Sequence, residues 1–151
     1  MRNSCVEVSI YGERNYKLFL EVIRREIDKE GCYNAISAVQ AFMLMNMGDN
    51  VVTIGEIISR GYYIGTNATY NIKKLINAGY LASTPSSYDK RAIYLRLTSK
   101  GQELIQKLDK NLTQYMKDFE AKTKGKFNFT KGIEFLKDME TFWNEVLLLR
   151  S

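Results

Sequence analysis

Histidine is missing altogether from the 151 residues of this chain. Its absence removes the Ser-His-Asp and Cys-His nucleophile arrangements and every zinc site that needs an imidazole. Cysteine is scarce too: Cys5 and Cys32 alone cannot build a thiolate metal cage, and they are not a disulfide framework. No run approaches the roughly 20 uncharged apolar residues of a membrane helix. The opening MRNSCVEVSIYGER lacks the basic-then-apolar layout of a signal peptide, so a cytoplasmic protein without membrane contact is expected. There is no internal repeat and no low-complexity tract. Paired carboxylates for acid–base work are also lacking in the central segment, where Glu56 and Asp89 stand alone. Neither an enzyme nor a metal or cofactor site is expected.

What is present is a soluble globular balance, 45% apolar with 26% charged, enough for one core or for one domain with dimerising arms. The formal net charge is +5, and its distribution is more informative than its size. Residues 1–54 carry 6 Lys/Arg against 7 Asp/Glu, and residues 102–151 carry 9 against 8. Residues 55–101 carry 7 (Arg60, Lys73, Lys74, Lys90, Arg91, Arg96 and Lys100) against 2. A basic centre between near-neutral arms is the footprint of a segment that touches phosphates, although a solvated basic surface gives the same count.

Apolar spacing predicts a helix over residues 15–30, with Leu18, Phe19, Val22, Ile23 and Ile27 on one side and Gly31 as its stop. A second, over 34–47, is apolar nearly all round and should be buried, with Met43, Met45 and Met47 as core filling. After a turn at Gly48-Asp49-Asn50 and a short strand at Val51-Val52-Thr53, Thr53 reads as the N-cap of a helix over 54–60 closed by Gly61. A fourth helix opens at Gly65 or Thr66 and ends near Gly79. Its Ala68, Ile72, Leu75 and Ile76 share one arc; Thr66, Asn67, Tyr70, Lys73, Lys74 and Asn77 share the opposite one, which holds no acid. Residues 80–83 can be a strand, 84–90 a turn-rich loop containing the only proline, and 93–97 a strand with Ile93, Leu95 and Leu97 inward and Tyr94 and Arg96 outward. Ser99-x-x-Gln102 is a capping-box signature opening a long helix, and 130–150 carries a further apolar stripe.

Two helices in sequence, the second with a basic polar face, followed by a β-hairpin, make a helix-turn-helix with a wing. The expected fold is mostly α with a small β-wing, with long helices at both ends. A major groove about 12 Å wide admits one helix, while a basic hairpin reaches the neighbouring minor groove. The stretch TIGEIISRGYYIGTNATYNIKKLINAGYLASTPSSYDKRAIYLRLTSKGQELI resembles the MarR family of transcriptional regulators in the order and spacing of its parts. The residues that carry the likeness are Ala78-Gly79-Tyr80-Leu81, Asp89-Lys90-Arg91 and Leu97-Thr98-x-x-Gly101. It covers residues 15–150 in layout and 53–105 in motif.

The resemblance implies a homodimer whose two winged helices straddle a pseudo-palindromic operator on double-stranded DNA, acting as a ligand-responsive repressor. Residues 1–33 and 102–151 would supply the dimerisation helices, through Leu136, Met139, Trp143, Val146 and Leu149, and 34–101 the DNA-binding region. Thr66, Asn67, Thr69, Tyr70, Lys73 and Lys74 fall on its recognition helix, and Ser86, Ser87, Lys90 and Arg91 on its wing. Asp89 would hold the wing's shape. Where the family has two arginines this chain has Lys90 and Arg91, and a lysine lacks the planar fork of arginine. A small aromatic or phenolic effector would meet Tyr16, Phe19, Cys32, Tyr33, Phe42 and Tyr62. Cys32 is alternatively an oxidation sensor or, the favoured reading, a buried inert thiol. The competing function is a winged helix used for protein–protein contact, as an adaptor or antitoxin.

Overall fold

The structure, a computed structural model, describes residues 3–32, 34–61, 65–86 and 92–149. Among the described residues nine elements follow one another: α1 (Ser4–Lys29), α2 (Ala38–Met47), β1 (Val52–Thr53), α3 (Ile54–Gly61), α4 (Gly65–Asn77), β2 (Leu81–Pro85), β3 (Ile93–Leu97), α5 (Ser99–Lys122) and α6 (Phe129–Leu148). They fall into two compact units, Met1–Asn111 and Leu112–Ser151. The fold is mostly α with a small antiparallel sheet, as the sequence led us to expect.

In the first unit, Ile23 and Ile27 of α1 pack with Met43, Leu44 and Met47 of α2, Ile57 of α3, Ile72 and Leu75 of α4 and Leu104 and Leu108 of α5. Met43 and Met47 are core filling as anticipated, and Met45 packs against that core half-buried. The sheet has strand order β1-β3-β2, with Val52 opposite Leu95 and Leu81 opposite Leu97. Leu95 and Leu97 point into the core, but Ile93 is exposed, because it pairs with Pro85 at the far end of the hairpin, beyond the reach of the helices.

Several boundaries differ from the sequence expectation. Helix α1 begins at Ser4, not near residue 15: Asn3 caps it by accepting from Cys5 N at 2.9 Å, and Lys17 pairs with Glu13 at 2.6 Å along its exposed side. Its first half is solvated on most faces and so lacks the apolar stripe that marks a packed helix. Helix α2 starts later than expected, at Ala38, behind a capping box in which Ser37 Oγ accepts from Gln40 N and Gln40 Oε1 accepts from Ser37 N. Thr53 does cap α3, through a reciprocal box with Glu56. Strand β2 runs through Thr84 to Pro85, which the sequence assigned to a loop; Pro85 is tolerated because it ends an edge strand. The cap of α5 is Thr98 rather than Ser99, its hydroxyl accepting from Gly101 N at 3.1 Å.

In the second unit, the rings of Phe127 and Phe129 stand 6.2 and 5.6 Å from that of Phe119. The end of α5 closes on Lys124, with φ at 52°, and Gly125, whose N donates to Glu120 O at 3.0 Å. Asn128 caps α6 by accepting from Lys131 N at 3.2 Å. Among the described residues no helix is long and apolar enough to cross a membrane.

Candidate nucleic-acid interface

Helix α4 is held from three directions, and what remains free is one face. Ala68, Ile72 and Leu75 are buried on the core side. Near its middle, Asn71 Oδ1 accepts from Gln40 Nε2 at 3.1 Å, so one buried glutamine both caps α2 and ties it to α4. At its end, Gly79 takes a φ of 79°, and Tyr80 N and Gly79 N donate back to Leu75 O and Ile76 O. This is the turn in which glycine relieves the cost of a left-handed residue.

The turn is then tied down from a distance. Thr98 Oγ1 donates to Gly79 O at 2.6 Å, Thr98 N donates to Tyr80 O at 3.1 Å, and Lys100 Nζ donates to Ala78 O at 2.7 Å. Gly101 completes the joint, since a β-carbon there would overlap the Tyr80 carbonyl oxygen. The Leu97-Thr98-x-x-Gly101 motif thus has a mechanical content: its threonine and glycine dock the wing's exit against the end of α4.

On the opposite face, Asn67, Tyr70, Lys73, Lys74 and Asn77 are exposed and Thr69 is half-buried. Lys74 Nζ lies 5.6 Å from the centre of the Tyr70 ring, a cation–π spacing. No acidic residue occurs within α4. The face offers ammonium, amide, hydroxyl and phenol groups, the donors and acceptors that meet phosphates and base edges. The Thr66 side chain lies outside the described part of the chain.

The wing follows at once. Ser86 N donates to Ala92 O at 3.0 Å, closing the hairpin one step beyond β2 and β3. Tyr94 and Arg96 are exposed on β3. Ser87, Asp89, Lys90 and Arg91, at the wing tip, lie outside the described residues. Sequence reasoning found the free face of α4 and missed what holds it, namely Gln40, Asn71, Thr98 and Lys100. Ser37-x-x-Gln40, a capping box of the same form as the one read at residue 99, was the available signal for Gln40.

The other expected sets are dispersed. Tyr16 and Phe19 of α1 gather on Phe42 of α2, with ring centres 5.9 and 5.6 Å from it. Cys32 lies elsewhere, half-buried beside Tyr80. Tyr33 and Tyr62 are outside the described residues. On α6, Leu136 and Trp143 are exposed, Met139 and Val146 half-buried, and Leu149 just beyond it exposed. Among the described residues no group of three or more His, Cys, Asp or Glu is placed to hold a metal ion.

Comparison with known proteins agrees with this geometry. Residues 36–101 match the family model of the winged helix DNA-binding domain. The exopolysaccharide II synthesis transcriptional activator ExpG of Rhizobium meliloti is 29% identical over 137 residues, covering 91% of this chain and 70% of its own. A MarR transcriptional regulator from Methanosarcina mazei superposes with a TM-score of 0.69 at 18% identity, over 97% of this chain and 99% of its own. FabT of Streptococcus pneumoniae, solved in complex with DNA, superposes with a TM-score of 0.60 at 17% identity, over 95% and 97% of the two chains. These matches show a winged helix DNA-binding domain over residues 36–101 and a likeness to a transcriptional activator over most of the chain.

Proposed function

Proceeding from a MarR-like transcriptional regulator built around a winged helix DNA-binding domain, we propose that this protein binds a pseudo-palindromic operator as a homodimer. It represses transcription there until a small aromatic or phenolic effector releases it. The observation that carries the reading is the outer face of α4, acid-free and basic, on a helix anchored at its middle and its end. Thr66, Asn67, Thr69, Tyr70, Lys73 and Lys74 enter the major groove. Ser86, Ser87, Lys90 and Arg91 carry the wing to the adjacent minor groove, and Asp89 shapes the wing tip.

Dimerisation is supported by α6. Among its described residues none is buried, and Leu136, Leu147 and Leu148 are 59, 69 and 75% exposed. A monomer rarely leaves a contiguous apolar patch of more than a few hundred Å² in water. A second copy, meeting the same surface about a two-fold axis, covers it and sets two recognition helices about one DNA turn, roughly 34 Å, apart. The effector reading rests on the Tyr16–Phe19–Phe42 cluster. A molecule wedged there acts only through different affinity for the two spacings of the recognition helices.

The test is a fluorescence titration of the full chain against its own upstream DNA and a scrambled control at several salt concentrations. Tight binding to one fragment, with a log K against log salt slope of about −0.9 per phosphate contacted, supports the reading. No binding at low salt refutes it. Sign is read separately from a reporter in a deletion strain, where expression rises for a repressor. A fall would assign the mode for which ExpG of Rhizobium meliloti is named.

A further inference from the structure

The turn between α5 and α6, within the second unit, carries charge of one sign. Between Glu120 and Glu134 the chain has Lys122, Lys124, Lys126 and Lys131 and no acidic residue. All four lysines are exposed, and none pairs with a carboxylate among the described residues. Lys124 keeps a φ of 52°, a left-handed conformation that glycine or asparagine adopts at lower cost. Strain of this kind is retained where the surroundings or the use of the side chain require it.

The same turn exposes rings. Asn128, with an extended backbone, spends its side chain on capping α6, and its neighbours Phe127 and Phe129 both reach Phe119. Phe127, Phe129 and Phe119 are 55, 41 and 41% exposed, so the cluster is not a core. Lys126 Nζ stands 5.6 Å from the centre of the Phe127 ring, and ammonium and apolar surface are thus presented side by side.

We propose that this turn docks on the anionic face of a phospholipid bilayer, with the lysines among the headgroups and the phenylalanines at the boundary with the acyl chains. The chemistry favours lipid over the other polyanions of a cell. A protein interface keeps aromatic residues but sheds lysine. Single-stranded nucleic acid stacks successive bases on ring faces, whereas these rings lean on one another at 32° and 56° and make one knob. A bilayer surface uses both features, point charges beside anionic headgroups and apolar groups just beneath them. Lysine instead of arginine suits it, because an array of headgroups rewards charge and not the planar fork that grips a single phosphate.

Among the described residues no helix is long and apolar enough to cross a membrane, so the chain would rest on the bilayer rather than span it. Run length and leader layout, from which the absence of membrane contact was expected, do not report on such a turn. The surface shares no residue with the outer face of α4, and the proposal does not rest on the DNA-binding reading.

The experiment floats the full chain with vesicles of phosphatidylcholine alone and of an equimolar mixture with phosphatidylglycerol. Binding is expected to the mixed vesicles only, and it should fall as added salt screens the lysines. Lys122→Glu with Lys124→Glu, both exposed, should weaken it by at least about 25-fold, roughly fivefold for each lysine lost. Phe127→Ser with Phe129→Ser should weaken it by about tenfold as apolar contact is lost. Should the serine variant disturb the turn, Phe127→Trp reads the same contact: its added fluorescence should be quenched by lipid brominated on the acyl chains, beyond the quenching of Trp143 in the unaltered chain. Equal binding to both vesicles, binding to neither, or binding unmoved by the lysine pair overturns the proposal. So does binding that needs the lysines but is indifferent to the rings in both ring variants. Vesicles that fail to bind while poly(dT) binds, and binds less to the lysine variant, assign the turn to nucleic acid instead. A serine variant that is monomeric in sedimentation where the unaltered chain is a dimer shows that a second copy covers the rings, and this too overturns lipid docking.

Discussion

The residues that would touch DNA and the residues that aim them are different side chains with different consequences when lost. Lys73 and Lys74 are exposed, so replacing both by Ala should leave stability near its starting value. The salt slope of operator binding should fall by about 2, one for each phosphate contact removed. A slope unchanged in that titration would take α4 out of the contact. Gln40→Ala acts in the opposite manner, leaving Asn71 unpaired and half of the α2 capping box open. A loss of about 1–2 kcal/mol in urea unfolding is expected. Tyr80 adds a pH dependence. Its phenol ionises near 10 when unfolded and near about 12 when folded, so unfolding releases a proton between those values and stability falls as pH rises through that window. The alkaline decline in the urea midpoint should be shallower in Tyr80→Phe. At this scale the outer face of α4 was legible, because a period of 3.6 sorts Asn67, Tyr70, Lys73 and Lys74 from Ala68, Ile72 and Leu75. The Gln40–Asn71 and Thr98–Gly79 bonds were not, because each joins residues on separate elements that nothing local pairs.

At the level of elements, signals at helix ends were read well where the local chain decides and poorly where a distant partner does. Thr53 was recognised as a cap and Gly31 and Gly79 as stops, since those turns are closed by their own neighbours. Ser99 was preferred over Thr98 because Ser-x-x-Gln looks like a box. Thr98 wins because its hydroxyl serves two bonds, to Gly101 N and to Gly79 O. Gly101→Ala should therefore damage both stability and operator affinity, as the backbone of α5 and that of Tyr80 are forced apart. Retained affinity in that variant would show that the joint yields without moving α4. Lys124 presents the converse case, a β-carbon-bearing residue at a φ of 52°. Lys124→Gly should raise the unfolding free energy by about 0.5–1 kcal/mol, the strain relieved less the added freedom of the unfolded chain. The early half of α1 escaped notice because a helix solvated on most sides carries no stripe.

For the molecule as a whole, the sequence showed an apolar stripe at residues 133–149, read as a dimer interface in preference to an intramolecular core. In the structure that stripe meets water, with Phe135, Phe142 and Leu149 exposed along with the leucines of α6. Placing charge in it, with Met139→Glu and Val146→Glu together, should give monomers in sedimentation and reduce operator affinity steeply. Each half-site is then bound without its neighbour. A stable dimer in the double variant would move the interface elsewhere. The compact unit that ends at Asn111 includes α1, whose Glu26 is buried and accepts from Asn111 at 2.8 Å. The N-terminal helix is thus part of the winged helix core, whatever further role its exposed side has.

The joint at residues 78–80 also separates two histories. Among the described residues, the groups that fix the end of α4 there belong to the backbone or lie beyond β3, while the side chains presented outwards lie between residues 67 and 77. On the proposed DNA-binding reading, substitutions on that face alter which operator is preferred without loosening the mount. Such a chain can be duplicated and re-addressed to new promoters in small steps, each intermediate still folded and still a regulator.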